Sequence, residues 1–292
     1  MKVRKPFAHT LKQFLAALFM VALCFTTAVR ATATPDEKMK PEDVIAKHLA
    51  SIGTPEALAA VKSRVIVGTT TAQLKLTNTP IEIGGPVQFA SEGDKVLLAM
   101  IFNSTNYSYE KAGYDGKDLT VGVLQSGRRS VLSDFFFAHE AIFKQGLIGG
   151  ALSSAWPFYS KDAKSLKVSY AGTKKVNNRS LHELKYRNAG DLQVSLFFDA
   201  ETFQHVRTEY KYTVPAQMGK DPTQSAQQKE SIYRLTEEFA DFKTESGLTL
   251  PHNYKLRLSV ELPTRTQTLD FDMALAQFVF NQPVEAAQFS LK

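Results

Sequence analysis

The chain has 292 residues and a single cysteine, Cys24, which falls within the first 33. Without that stretch no thiol remains, which excludes disulfides and any cysteine-ligated metal centre. Histidine is sparse too, and His48, His182, His205 and His252 stand apart without ligand spacing. His139-Glu140 opens a zinc-protease-like string, but Phe143 occupies the place of its second histidine, so no metal is expected. A P-loop, a dinucleotide fingerprint and a nucleophile elbow are absent, and neither an enzyme nor a cofactor site is expected. Asp270 and Asp272 share a strand face and read either as a carboxylate pair or as a solvated edge.

The chain also lacks a real surplus of positive charge. Lys and Arg number 35 against 29 acids, yet residues 1–33 hold five of the bases and none of the acids. The remainder stands at 30 against 29, which gives no reason to expect nucleic acid as a partner. Those first residues have the form of an export signal. Lys2, Arg4, Lys5 and Lys12 precede the uncharged apolar run 14–29, and small residues suited to cleavage lie near 31–33. The run is shorter than the roughly twenty residues of a membrane span. Leu23 stands before Cys24, where a lipoprotein signal wants a small residue. The expected mature chain is therefore periplasmic, a single domain over 34–292.

What is present is mainly period-two sequence. Two short helices are expected first, from Pro41 to about Ser51 and from Pro55 to about Val61, each opened by proline and acids. Alternation begins at Arg64, and a second strand region is expected to break at Gly84-Gly85-Pro86. A third runs over 95–103, and a hairpin turns at Asp115-Gly116. Later come Leu192-Val194-Leu196-Phe198, then Val206 to Val214 with Arg207, Glu209 and Lys211 on the solvated side, then strands near 233–243, 254–262 and 269–275. Residues 215–230 read as a mobile polar loop. About ten or eleven strands are expected, enough to curl into an open or half barrel.

One apolar helical segment interrupts the strands, residues 133–158, with Ser133 and Asp134 as its cap. Glu140 and Lys144 mark its solvent stripe, while Phe135, Phe136, Ala138, Ala141, Ile142, Phe143 and Leu147 cover most of the circumference. Gly146, Gly149 and Gly150 offer a hinge, and Trp156-Pro157 closes the segment. His139 falls inside the apolar arc, as a core histidine bonded to a backbone carbonyl or as an anchor for a ligand head group. The fold class expected is α+β, a large curved antiparallel sheet with N-terminal helices and a central helical cover on its concave face.

This layout resembles the lipoprotein-sorting proteins of the bacterial periplasm, the LolA/LolB-like superfamily. The resemblance is carried by the N-terminal helix, the Tyr114-Asp115-Gly116-Lys117 hairpin and the central helices. It continues in Phe198-Asp199-Ala200-Glu201 leading to Val206-Arg207, in residues 242–248, and in the ending Val284 to Phe289. The family's Arg-Pro segment is here Gly85-Pro86-Val87-Gln88-Phe89, without the arginine, and the chain is longer than the compact carrier. The resemblance implies a half barrel that binds a lipid or an acylated lipoprotein as carrier or sensor, monomeric, with transient contact to a membrane or membrane protein. The expected apolar cavity is lined by Phe135, Phe136, His139, Ile142, Phe143, Leu147, Trp156 and Phe158 of the insert. Leu256, Leu258, Phe271 and Met273 complete it from the sheet. The alternative is a non-catalytic envelope interaction module with a packed core and no ligand cavity.

Overall fold

The computed structural model describes residues 39–291 except 78, 161–165, 188 and 217–229. The expected export signal and most of the polar loop at 215–230 lie outside the described residues. Residues 39–292 form one compact unit.

Two helices open it, α1 (Pro41–Ile52) and α2 (Pro55–Ala60), each with proline in its first turn. Thr54 caps α2 by accepting the Ala57 N–H at 3.2 Å. Then come β1 (Ser63–Lys75), β2 (Ile81–Glu92), β3 (Lys95–Ile101), β4 (Tyr109–Tyr114) and β5 (Leu119–Val121). The insert contributes α3 (Val131–Ala138), α4 (Ala141–Lys144) and two single 3₁₀ turns, Gly150–Leu152 and Pro157–Tyr159. After it follow β6 (Val168–Val176), β7 (Arg179–Tyr186), β8 (Gln193–Asp199), β9 (His205–Val214), β10 (Ser231–Glu245), β11 (Leu248–Glu261) and β12 (Thr266–Phe280). A short α5 (Ala286–Ser290) ends the chain.

The strands form one open antiparallel sheet of twelve, ordered β5-β4-β3-β2-β1-β12-β11-β10-β9-β8-β7-β6. Every neighbour but one is adjacent in sequence. The exception is β1 with β12, which zip together from Arg64↔Phe280 to Lys75↔Thr268 and join the first five strands to the last seven. Both free edges, β5 and β6, therefore belong to the strands that flank the insert. The insert must cross the full width of the sheet to connect them, and it does so over the apolar concave face.

Three expectations are corrected. The sheet has twelve strands, more than expected, because β6 and β7 turn at Asn177-Asn178, both left-handed (φ 49° and 64°). Asn-Asn is a weaker signal than Asn-Gly. Gly84-Gly85-Pro86 does not break a strand, since β2 runs through it opposite Gly85↔Thr70 and Pro86↔Thr69 of β1. Pairing of β2 with β3 begins only at Val87, so the missing Pro86 N–H is not needed on that side. A Cβ at Gly85 would sit 1.8 Å from the Ile101 carbonyl oxygen, so only glycine permits the close approach of β3 there. Finally, the insert's helix starts earlier than expected. Ser130 caps it, accepting the Ser133 N–H at 2.9 Å, and it ends at His139.

The alternation on the sheet sorts its two faces. Leu256, Leu258, Phe271 and Met273 turn to the concave side and are at most 1 % exposed. On the convex side Arg207 pairs with Glu209 and Glu238, Lys255 with Asp272, and Arg257 with Asp270. A shallow trough of about 550 Å³ runs along these pairs. Asp270 and Asp272 thus each sit against a cation of β11, which makes them a solvated cross-strand face and leaves no carboxylate pair.

Candidate functional site

The insert meets the sheet in two different ways. From Gln145 onward it is tied down by hydrogen bonds. The Tyr186 hydroxyl donates to Gln145 Oε1 at 3.0 Å, and the Gly149 N–H donates to Glu237 Oε1 at 2.7 Å. The Arg64 guanidinium, 1 % exposed, donates to the carbonyls of Ala151 and Ser153. The Ser154 N–H reaches Ser91 Oγ at 2.8 Å, and Trp156 Nε1–H reaches His48 Nε2 at 3.1 Å. Gly149 rests on the Phe89 ring with φ +76°, where a Cβ would come within 2.4 Å of that ring.

Glu237 is the centre of this attachment. It is fully buried, and its carboxylate also accepts the hydroxyls of Tyr210 (2.6 Å) and Tyr254 (2.7 Å). Burial pushes its pKa up to about 7, with the three donors opposing. Burial likewise pushes His48 down to about 4 and His205 well below its ordinary value. His205 stacks on Trp156 at 4.8 Å, and its Nε2 contacts Thr208 Oγ1 at 2.9 Å. These groups lie in packed interior, and their arrangement serves to hold the insert in place.

From 131 to 144 the attachment is mainly apolar. Among the described residues, α3 makes one side-chain hydrogen bond to the sheet, Ser133 Oγ to Glu110 Oε2 at 2.9 Å. Glu110 also accepts the Tyr107 hydroxyl, and burial raises its pKa. Lys144 and Glu140 pair with each other on the solvent side at 2.5 Å. Beside α3, against the ends of β9 to β12, lies a groove of about 380 Å³. Val131, Phe135, Ala138 and His139 form one wall, and Tyr212, Val214, Tyr233, Val260 and Leu262 the other, with Asp134 and Gln267 also on its lining. His139 is 6 % exposed, and its Nδ1 lies 3.4 Å from the Asp191 carboxylate in the β7–β8 turn. Burial lowers its pKa, and Asp191 offsets this in part, so the imidazole is neutral at neutral pH.

Two of the expected cavity residues, Phe135 and His139, line this groove. Phe136, Ile142, Phe143, Leu147, Trp156, Phe158, Leu256, Leu258, Phe271 and Met273 lie together in the main core, all at most 2 % exposed. The structure thus separates buried core residues from an open groove at the rim. Sequence reasoning did not single out Tyr212, Tyr233, Val260 and Leu262 as site residues, because they read there only as strand alternation. Glu237 did leave a signal, an acid between Leu235 and Phe239 on the inward register of β10. Arg64, two residues before Ile66, left the same one.

Among the described residues no group of three or more His, Cys, Asp or Glu is placed to hold a metal ion. None of their helices is long and apolar enough to cross a membrane.

No protein-family model matches the sequence, and no curated protein matches it. Solved structures similar to this chain include a DUF1329 family protein from Desulfovibrio piger, at 10 % identity and TM-score 0.45, covering 85 % of this chain and 96 % of that one. A LolA superfamily protein from Nitrosomonas europaea matches at 11 % identity and TM-score 0.43, covering 85 % and 97 %.

Proposed function

We propose that this chain is an exported, non-catalytic envelope protein that binds a lipid or acyl chain between its sheet and the insert, entering at the groove beside α3. The observation that supports the reading is the groove itself, an apolar slot whose walls come from the insert and from the sheet. Its volume falls at the lower end of the range typical of small-molecule sites. Each buried methylene contributes about 0.8 kcal/mol, so a chain needs little specific chemistry to be held there. A longer chain would require α3 to lift, and α3 is the half of the insert with the fewest polar ties. A periplasmic carrier or sensor of lipids or acylated proteins is consistent with such a device and with the export signal read from the sequence.

A second reading, an interaction module with a packed core, is favoured by the burial of the insert's large rings, with Phe143, Trp156 and Phe158 at most 1 % exposed. Native mass spectrometry of the protein purified without detergent from an exporting host separates the two. Binding predicts a co-purified lipid, or uptake of an added fatty alcohol or phospholipid. A ligand-free mass together with no uptake would overturn the binding reading in favour of the packed module.

A further inference from the structure

The groove contains a polar atom that the fold itself does not use. The His139 ring is held between Phe135 and Tyr212, with centroid distances of 4.7 and 4.6 Å, and Nδ1 is turned to Asp191. Among the described residues Nε2 has no hydrogen-bond partner, and neither do the hydroxyls of Tyr212 and Tyr233. A carboxylate facing one ring nitrogen holds the proton there and fixes the tautomer. Nε2 is then a lone pair, an acceptor in a wall that is mainly apolar.

The charges around the groove point the same way. No Lys or Arg is among its lining residues, whereas Asp134 is, one turn before His139 on α3 and 3.8 Å from Arg129. Asp191 stands behind the ring. An anionic head group would therefore meet the Asp134 carboxylate on the lining and the lone pair of Nε2, with the Asp191 carboxylate behind the ring. On the reading that the groove takes an apolar chain, we infer that the chain ends in a neutral hydrogen-bond donor, a hydroxyl or an amide N–H, received by His139 Nε2. The ligand class is thus a long-chain alcohol or a fatty amide, and a free fatty carboxylate is disfavoured.

The test is displacement of the neutral dye N-phenyl-1-naphthylamine from the full mature chain at about pH 8 by four competitors of equal chain length. These are dodecanol, dodecanamide, methyl dodecanoate and dodecanoate. The alcohol and the amide are expected to bind about tenfold tighter than the ester and the carboxylate, the equivalent of one good hydrogen bond. His139→Phe should abolish that preference while leaving the ester's affinity within about twofold. Asp191→Leu, at a side chain 63 % exposed and therefore tolerant of change, should narrow the preference by freeing the tautomer. Equal affinities for all four, or a preference that survives His139→Phe, would overturn the donor assignment while chain binding stands. Failure of every competitor to displace the dye or to bind by mass spectrometry would remove chain binding, and the donor assignment with it.

Discussion

The two halves of the insert bury comparable apolar side chains but are fastened differently. Residues 145–159 carry Leu147, Ile148, Leu152, Trp156 and Phe158, all at most 1 % exposed, and are bonded to Tyr186, Glu237, Arg64, Ser91 and His48. Residues 131–144 carry Leu132, Phe135, Phe136, Ile142 and Phe143, at most 3 % exposed, yet among the described residues their side-chain ties to the sheet and its turns are two, Ser133 to Glu110 and His139 to the exposed Asp191. Apolar contact is non-directional and tolerates sliding, whereas buried hydrogen bonds fix position. The second half is therefore an anchor, and the first is the part able to move at the rim where the groove lies. Local openings of low free energy are expected where such directional ties are few.

The largest effect should come from the anchor. Trp156→Ala removes the biggest buried ring of the segment and strands His48, and it should cost about 3–5 kcal/mol in urea unfolding. A cost below about 1 kcal/mol would show that the anchor does not hold the fold.

Glu237→Gln should cost less and depend on pH. The folded carboxyl titrates at about 7 and the unfolded one near 4.5, so between these values the fold binds more protons and its stability falls as pH rises. His48, at about 4 folded against 6.5 unfolded, acts oppositely over an overlapping window, so wild type alone does not isolate Glu237. The difference between wild type and Glu237→Gln does. The penalty of the variant should be largest below about pH 4.5 and smaller by about 3 kcal/mol near pH 8. A penalty independent of pH would mean that the carboxyl is ionised throughout.

Next is Ser133→Ala, which removes the one side-chain bond between α3 and the sheet among the described residues and should cost about 1 kcal/mol. Its sharper readout is kinetic, since dye uptake should quicken and amide exchange in 131–138 should rise while 147–156 stays protected. Equal exchange in both halves would erase the contrast between them. The smallest effect is expected at Phe137, 49 % exposed beneath the Arg129 guanidinium, where alanine should change stability by no more than about 0.5 kcal/mol.

Much of this arrangement was legible in the sequence. Period-two alternation is a local property, and it assigned Leu256, Leu258, Phe271 and Met273 to the inward face and Arg207 and Glu209 to the outward one. The apolar circumference from Phe135 to Leu147 marked the insert as buried on more than one side, because no solvated helix keeps so wide an apolar arc. The notice that His139 lay inside that arc was also local. The helix break at His139 was less legible, since no Gly or Pro stands there and the turn follows from docking on the sheet.

What the sequence by itself determined is which residues seek the interior and where the chain turns, because both depend on neighbours two to four positions away. The tertiary structure alone decided that β1 closes on β12, which makes the flanks of the insert the two sheet edges and forces the insert across the concave face. It also decided which half of the insert is anchored, since Glu237 finds its partners 17, 27 and 88 residues away. The groove is of the same kind, formed where Phe135 and His139 meet Tyr212, Tyr233 and Val260. Such contacts depend on loop closure and sheet register, and these belong to the whole chain at once.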